Sequence, residues 1–232
     1  MPTSADDGLV RLLTWLSPAF PIGGYSYSHG LEYAVQAGRV TDAAELRAWI
    51  GSILRHGAGR TDAVLFAVAW RAEHDSDDRR LGEVLAWGEA FRGTAELALE
   101  SSAQGRAFVD AVRAAWPHPR LDAFDALARR LDRAPALAVA VGVACAVAGI
   151  GEAPARLAFL QAFAANLVSA GVRLIPLGQS AGLRVLASLE ETVRDVAEES
   201  ARLGLADLGT ATWMVDWCSA RHETQYTRLF RS

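Results

Sequence analysis

The spacing of its apolar residues constrains the fold of this chain more than any other feature. Leu9, Leu12 and Leu16 recur at intervals of three and four residues, which places their side chains on one face of an α-helix. Similar patterns follow along the whole chain, and no stretch shows the sustained alternation of a β-strand. The sequence therefore predicts an all-α fold, in the form of one compact, bundle-like domain of about ten short-to-medium helices.

Capping residues and changes in composition divide these patterns into segments. Thr41 or Asp42, followed by Glu45, has the form of a helix N-cap. The uncharged stretch 134–151 is rich in alanine, valine and glycine, and we interpret it as a buried core helix rather than a membrane span. Residues 179–203 are expected to form one long amphipathic helix.

The length of the chain predicts a single domain. A chain of 232 residues buries enough surface to be stable without disulfides or metals. We expect residues 1–232 to form one all-helical domain, with a globular core at about 8–218 and a flexible C-terminal tail at about 219–232.

The C-terminal tail combines apolar anchors with positive charge. Tyr226, Leu229 and Phe230 lie among Arg228 and Arg231, and little chain remains to cover them. Such a segment either stays flexible until it docks on a partner or folds back on its own domain, and composition favours neither.

Charge and cysteine content exclude several classes of function. The formal net charge is −4, and no basic run exceeds a pair such as Arg79–Arg80, whereas nucleic-acid binding needs a concentrated basic surface. Cys145 and Cys218 form no CxxC pattern, which is typical of a reducing compartment. The N-terminal MPTSADDG lacks the charged-then-apolar order of a signal peptide. We expect a cytoplasmic protein with no nucleic-acid and no membrane partner.

No signature of catalysis is present in the sequence. Ser26, Ser28 and His29 are neighbours in YSYSHGLE, but neighbours in sequence rarely have the geometry that proton transfer needs. Capping or packing of the following helix explains them better. Phosphate loops, dinucleotide fingerprints and HExxH motifs are absent. We therefore expect no catalytic residue.

A weak metal-site candidate lies near the C-terminus. Cys218 and His222 have the i, i+4 spacing that places two ligands on one helix face, and Glu223 is adjacent. An ordinary thiol on a semi-exposed segment is the alternative, and we expect no tightly bound metal or cofactor.

Five segments, in order along residues 9–232, resemble the UreF family of urease accessory proteins. The first, fourth and fifth are specific, and the middle two are weaker. The chain departs from the family at Ala181 and Leu183, where more polar residues are common, and at Gln161, where an aromatic is frequent. The five segments are SPAFPIGGYSYSHGLEYAVQAG, ELALESSAQGRAFV, ALAVAVGVACAVAGI, NLVSAGVRLIPLGQSAGLRVL and HETQYTRLFRS.

The resemblance implies a function in urease maturation. Proteins of this family are all-α homodimers that bind the accessory protein UreD, also called UreH, and with it recruit the GTPase UreG. The assembly acts on the urease apoprotein, into which nickel is inserted. On this resemblance the chain is a non-catalytic scaffold and checkpoint, and a candidate route for nickel in transit.

The resemblance also implies which residues bind partners. Arg173 and Gln179, which flank the sequence IPLG, are candidates, although a structural turn between two core helices explains them equally well. The loop before the second helix would face either the dimer or a partner, and the tail would order on UreD. The candidates in the loop are Pro21, Gly23, Gly24, Tyr25, Tyr27 and His29, and those in the tail are Tyr226, Arg228, Leu229, Phe230 and Arg231.

Two alternatives to a scaffold stay open. The first is a GTPase-activating partner that supplies an arginine to UreG, for which the sequence selects no particular arginine. The second is a nickel metallochaperone that uses Cys218 and His222 as ligands.

Overall fold

The structure, a computed structural model that describes residues 5–232, consists of helices joined by short loops. This range contains twelve α-helices, two short 3-10 helices at Gly24–Ser26 and Leu205–Asp207, and no β-strand. The predicted all-α fold is confirmed. Residues 1–4, whose polarity argued against a signal peptide, lie outside the described residues. The α-helices are α1 (Ala5–Trp15), α2 (Leu31–Gln36), α3 (Ala43–His56), α4 (Ala58–His74), α5 (Asp78–Ala90), α6 (Ala95–Ala115), α7 (Pro119–Arg130), α8 (Leu137–Val147), α9 (Glu152–Leu174), α10 (Gln179–Ser188), α11 (Glu190–Ser200) and α12 (Trp213–His222).

Helix α8 is built of small residues and lies at the centre of the domain. Its residues 138–145 are all buried, as expected for a core helix. Helix α4 packs so closely on it that a Cβ added to Gly142 would lie 2.6 Å from the carbonyl oxygen of Phe66. A Cβ added to Gly105 of α6 would overlap the carbonyl oxygen of Pro135, just before α8. Backbones that approach this closely require glycine at the contact.

Helix starts follow the capping rules that the sequence predicts. The carboxylate of Asp42 accepts a hydrogen bond from the backbone N of Glu45 at 2.9 Å, and the Glu45 carboxylate accepts one from the backbone N of Thr41 at 2.7 Å. At the start of α6, the hydroxyl of Thr94 accepts a hydrogen bond from the backbone N of Leu97 at 3.2 Å. These side chains satisfy amide groups that have no partner inside their helices.

The expected single helix over residues 179–203 is wrong. The chain forms two helices, α10 and α11, which meet at the buried residue Leu189. The backbone N of Leu189 donates to the carbonyl of Leu186 at 3.1 Å, and the Ser188 hydroxyl donates to the carbonyl of Val185 at 2.7 Å. This tighter turn lets α10 pack on α3 and α9 while α11 packs on α4 and α9.

The C-terminal end also differs from the expectation. Helix α12 runs to His222, so the helical domain extends past the expected boundary at residue 218. Residues 223–232 are not a flexible tail here, because Phe230 and Ser232 are only 4% and 0% exposed. Of the two alternatives that composition left open, the structure has the segment folded back on its own domain, where the buried carboxylate of Glu32 accepts hydrogen bonds from its backbone.

Helix α9 is the one helix in the described range that is long and apolar enough, by length and composition, to cross a membrane. It packs against α4, α8, α10 and α11. One of its buried residues is Arg156, whose guanidinium donates to the carbonyl of Ala197 at 2.9 Å and also pairs with Glu152. These contacts are those of a core helix within a packed helical domain.

A cluster of opposite charges joins α6 to α7. The carboxylate of Asp125 is nearly buried and lies 2.7 Å from Arg113 and 3.0 Å from Arg129, with Arg106 also in contact. Burial alone would raise the pKa of Asp125, but hydrogen bonds from Arg129 and Arg106 and the charge of Arg113 hold the pKa below its ordinary value.

Candidate functional site

Gly30 fixes the relative position of helices α2 and α12. Its φ of +76° lies in the left-handed region, which favours glycine. A Cβ at this position would lie 3.0 Å from the backbone N of Ser219 and 3.1 Å from the carbonyl oxygen of Val215. The loop that precedes α2 is thereby held against α12, next to the start of the C-terminal segment.

The C-terminal segment pairs with this loop through backbone atoms. The backbone N of Arg231 donates to the carbonyl of Ser26 at 2.7 Å, and the backbone N of Ser28 donates to the carbonyl of Ser232 at 2.8 Å. The hydroxyl of Ser28 also donates to the Ser232 carbonyl and accepts from the backbone N of Glu32 at 3.2 Å. Ser28 therefore caps α2 and fastens the last residue of the chain.

Glu32 receives the C-terminal segment with its carboxylate. The backbone N–H groups of Leu229 and Phe230 donate to its two oxygens at 2.6 and 2.8 Å. The Nε2 atom of His222 lies 3.0 Å from one of the same oxygens. Glu32 is buried, so these hydrogen bonds replace the water that its charge would otherwise hold.

A second carboxylate, that of Glu96, lies on the other side of the His222 ring. Nδ1 of His222 is 2.7 Å from one oxygen of Glu96, and the Arg228 guanidinium donates to the other oxygen at 2.9 Å. His222 is completely buried. The ring of His222 thus lies between two carboxylates, and the charge of the Arg228 guanidinium offsets that of Glu96.

Glu100 and His29 complete the cluster at the end of the chain. The hydroxyl of Ser232 donates to Glu100 at 2.7 Å, and Nδ1 of His29 lies 3.5 Å from the same carboxylate. His29 has a φ of 57°, a left-handed conformation that is uncommon for residues other than glycine. Its ring packs edge-on against Phe163 at a centroid distance of 5.7 Å.

Arg173 links α9 to both the loop and the C-terminal segment. Its guanidinium lies 4.3 Å from the centre of the Phe230 ring, within the range of a cation–π interaction. One Nη atom donates to the carbonyl of Tyr25 at 2.8 Å. Partial burial lowers the pKa of the Arg173 guanidinium from its ordinary value. Arg173 therefore contacts residues on either side of the site.

Most of the expected partner-binding residues lie in one region of the structure. Some of their side chains point into the domain and others point into solvent. Tyr27, His29 and Phe230 point into the domain, whereas Tyr226 is fully exposed and Leu229 is 66% exposed. Gln179 lies exposed on the surface at the start of α10. The remaining expected residues are exposed or partly exposed, namely Pro21, Gly23, Gly24, Tyr25, Arg173, Arg228 and Arg231.

Three carboxylates in this site were not expected from the sequence: Glu32, Glu96 and Glu100. A signal was nevertheless present in α6, where Glu96, Glu100 and Gln104 follow at intervals of four residues. Such a row lies on one helix face, and the face is the buried one. Buried charged residues require partners, so a polar stripe on a core-facing side marks a place where other segments converge.

Cys218 and His222, the weak metal-site candidates, are both buried. Cys218 is completely buried, and burial raises the pKa of its thiol to about 11. Both ring nitrogens of His222 face the carboxylates of Glu32 and Glu96. Within residues 5–232, no group of three or more His, Cys, Asp or Glu side chains is arranged to hold a metal ion.

A cavity of about 200 Å³ lies behind His29. Its walls are mostly apolar, but His29, Glu100 and the ion pair of Asp62 with Arg92 also line it. The two members of that pair are 2.7 Å apart and largely buried. The buried hydroxyl of Ser101 on the same wall has no hydrogen-bond partner among the described residues. Polar groups of this kind make the cavity suitable for ordered water.

Comparison with known proteins identifies the family. The UreF family model matches residues 40–190. The urease accessory protein UreF of Granulibacter bethesdensis is 50% identical over 233 residues, which cover 100% of this chain and 98% of that protein. The protein of the same name from Magnetococcus marinus is 47% identical, over 99% of this chain and 100% of its own length. That from Xanthobacter autotrophicus is 52% identical, over 97% and 91%.

Both kinds of similarity extend over a large part of the chain. The family model spans more than half of it, and the relatives align over nearly its whole length. The chain belongs to the UreF family of urease accessory proteins.

Proposed function

We propose that this protein is a cytoplasmic urease accessory protein that joins UreD and UreG in the complex that inserts nickel into apo-urease. Membership of the UreF family supports the role in urease maturation. The observation that carries the proposal is the way the C-terminal segment is held. Its backbone is bound by the buried carboxylate of Glu32, while Tyr226 and Leu229 project outward. Aromatic and aliphatic anchors presented on a fixed backbone are typical of protein-binding surfaces.

On this proposal the protein acts without chemistry of its own. Ser28, the serine next to His29, uses its hydroxyl to cap α2 and to bind the last carbonyl of the chain. His29 lies beside Glu100 and packs on Phe163. Structural roles for each of these groups support a scaffold rather than a catalyst.

We also propose a homodimer, which the family resemblance implies. Helix α1 leaves Leu9, Val10 and Leu13 exposed by 56%, 62% and 67%. A continuous apolar face of this kind is usually covered by another protein surface. A second copy of the chain is a suitable occupant, because each copy would bury the face of the other.

Nickel is cargo in this proposal and not a resident cofactor. The cavity behind His29 is lined by the carboxylates of Asp62 and Glu100, but Asp62 is paired with Arg92. Carboxylates that already have partners suit brief contact with a hydrated divalent cation better than tight binding. The proposed binding of partners by Tyr226 and Leu229 does not depend on nickel passing through this cavity.

Co-purification with tagged UreD tests the proposed function. We compare the wild-type chain, a chain that ends at Glu223, and the variants Leu229→Ala and Leu183→Ala. The two leucines are matched controls, because Leu229 is 66% and Leu183 is 67% exposed. Truncation and Leu229→Ala should each reduce recovery with UreD and subsequent recruitment of UreG, whereas Leu183→Ala should not. Full recovery of the complex with the truncated chain would contradict the role assigned to the C-terminal segment.

A further inference from the structure

The cavity behind His29 has a polar end and an aromatic end. Glu100 and Ser101 line the polar end, where Nδ1 of His29 lies 3.5 Å from the Glu100 carboxylate. Phe108, which lines the other end, follows about 10 Å further along α6. Its ring packs edge-on against the ring of Trp15, with the centroids 6.0 Å apart. A molecule that is polar at one end and apolar at the other would match both parts of the wall.

Two buried groups at the polar end lack a hydrogen-bond partner within residues 5–232. They are Oγ of Ser101 and Nδ1 of His29, and the two residues are 9% and 5% exposed. Both lie beside Glu100, since Ser101 follows it in α6 and His29 faces it from the loop before α2. Buried polar groups in native proteins nearly always have a partner, which is protein or a bound molecule. The two groups therefore mark where the polar atom of a bound molecule would lie.

The charged groups of the wall already have partners. Asp62 pairs with Arg92 at 2.7 Å, and Glu100 accepts a hydrogen bond from the Ser232 hydroxyl at 2.7 Å. A charged molecule would bring a further charge into a mostly apolar cavity, which is unfavourable without a new counter-charge. An uncharged hydroxyl group avoids this penalty. Because a hydroxyl both donates and accepts, one such group can bond with both of the unpartnered groups at the polar end.

The size and the walls of the cavity favour a single aromatic ring. An apolar cavity of about 150 Å³ holds benzene, and this cavity of about 200 Å³ has room for one polar substituent in addition. Aromatic side chains prefer to pack on another ring edge-on or with an offset. Pro18 and Tyr25 are exposed and also line the cavity, so it can be reached from the side of the loop. The tryptophan and phenylalanine residues of the wall are Trp15, Phe108, Phe159 and Phe163.

We propose that this cavity is a binding site for a small uncharged phenol or aromatic alcohol. The hydroxyl of the ligand lies between Ser101 and His29, and its ring lies towards Phe108. This inference goes beyond the proposed function, because the site needs neither a partner protein nor nickel. Glu100, on the wall beside the ligand hydroxyl, also binds Ser232. The ligand is thus bound next to the residues that fasten the end of the C-terminal segment.

Phenol is the probe, and its binding to the full chain is measured by ligand-observed NMR titration. We expect a Kd of about 1 mM or lower, which is reasonable for a ligand with so few non-hydrogen atoms. Benzene has the ring without the hydroxyl and should bind about tenfold more weakly, because Ser101 and His29 then stay unpartnered. Benzoate has the ring with a negative charge and should not bind measurably. Failure of phenol to bind at ten times the expected Kd would overturn the inference, and so would equal affinity for benzene or benzoate.

Matched variants locate the site. Ser101→Ala should weaken phenol binding about fivefold and leave benzene binding unchanged. Ser102→Ala should change neither, because the Ser102 hydroxyl bonds within its own helix. Ala162→Phe should abolish the binding of both compounds, because Ala162 lines the cavity on α9, whereas Ala153→Phe, at an exposed position of the same helix, should not.

Circular dichroism shows whether each variant is folded. Ser101→Ala removes a single oxygen atom, so it still tests the site if Ala162→Phe does not fold. Wild-type affinity for phenol in either folded variant would overturn the inference.

Discussion

Nδ1 of His222 lies 2.7 Å from a carboxylate oxygen of Glu96, and both residues are buried. The opposite nitrogen of the same ring faces Glu32. His222 therefore joins α12 to α2 and α6 at the place where the C-terminal segment docks. The ring of His222 therefore contributes to the stability of the domain and to the position of its last residues.

Replacing His222 by alanine should destabilise the domain by about 3 kcal/mol, because it leaves two buried carboxylates without their shared partner. Urea unfolding followed by circular dichroism measures this change. His56→Ala is the control, since His56 is exposed, and it should change the unfolding free energy by less than about 0.5 kcal/mol. Hydrogen exchange should also show faster exchange of the Leu229 and Phe230 amides in His222→Ala alone. Equal stability of the two variants would contradict the bridging role.

Gly30→Ala and Gly38→Ala form a matched pair, because both glycines have left-handed φ angles, of +76° and +67°. A Cβ at Gly38 meets nothing within 4 Å, so Gly38→Ala should cost only the backbone strain of about 1 kcal/mol. A Cβ at Gly30 would press on the backbone at Val215 and Ser219 of α12, so Gly30→Ala should cost clearly more. Thermal unfolding of the two variants gives the comparison, and equal melting temperatures would show that α2 and α12 are not in tight contact.

Gly105→Ala and Gly51→Ala should have opposite effects, although both glycines lie inside helices. A Cβ at Gly105 would overlap Pro135 and lie 2.8 Å from the carbonyl carbon of Ala136, so this variant should lose about 3 kcal/mol or fail to fold. At Gly51 the nearest atom is a Leu189 methyl at 3.9 Å, and alanine should stabilise α3 by about 0.5–1 kcal/mol. Soluble yield and denaturant midpoints distinguish the two. A well-folded Gly105→Ala protein would contradict the close packing of α6 on the start of α8.

The unfolding free energy should fall with acidification because of Asp125. Its folded-state pKa lies below the ordinary value, so its ion pairs stabilise the domain above that ordinary value and are lost as the pH falls through the folded pKa. We expect the loss at pH values below the ordinary pKa of an aspartate, and a shallower slope in Asp125→Asn. Asp195→Asn is the control, because Asp195 pairs with Arg55 at the surface. Identical slopes for the wild type and Asp125→Asn would exclude this carboxyl as a source of the pH dependence.

Local chemistry made most of the helices predictable. Asp42 starts α3 because its side chain binds the amide of Glu45, as the sequence predicted. Thr94 has the same role at the start of α6. The break at Leu189 has no such mark, since neither glycine nor proline lies there. It follows from the burial of Leu189 against the core, which depends on the position of the other helices.

The site was predictable in part for the same reason. The tail was identified from its own residues, including Phe230, and the loop, including Tyr25, from the family resemblance. Their meeting at Glu32 and Glu96 joins segments that are far apart in the chain, and the sequence carries no direct signal for it. The row of Glu96, Glu100 and Gln104 on α6 was the nearest local sign of this convergence.

The contacts of α8 have a mechanical consequence. At Gly142 and beside Gly105, neighbouring backbones meet without intervening side chains that could change rotamer to absorb a displacement. The centre of the domain is therefore rigid. A conformational change that passes between two bound proteins would have to involve the outer part of the domain, namely α2, α12 and the last ten residues. Ion pairs and single rings there can exchange partners without disturbing the packing around α8.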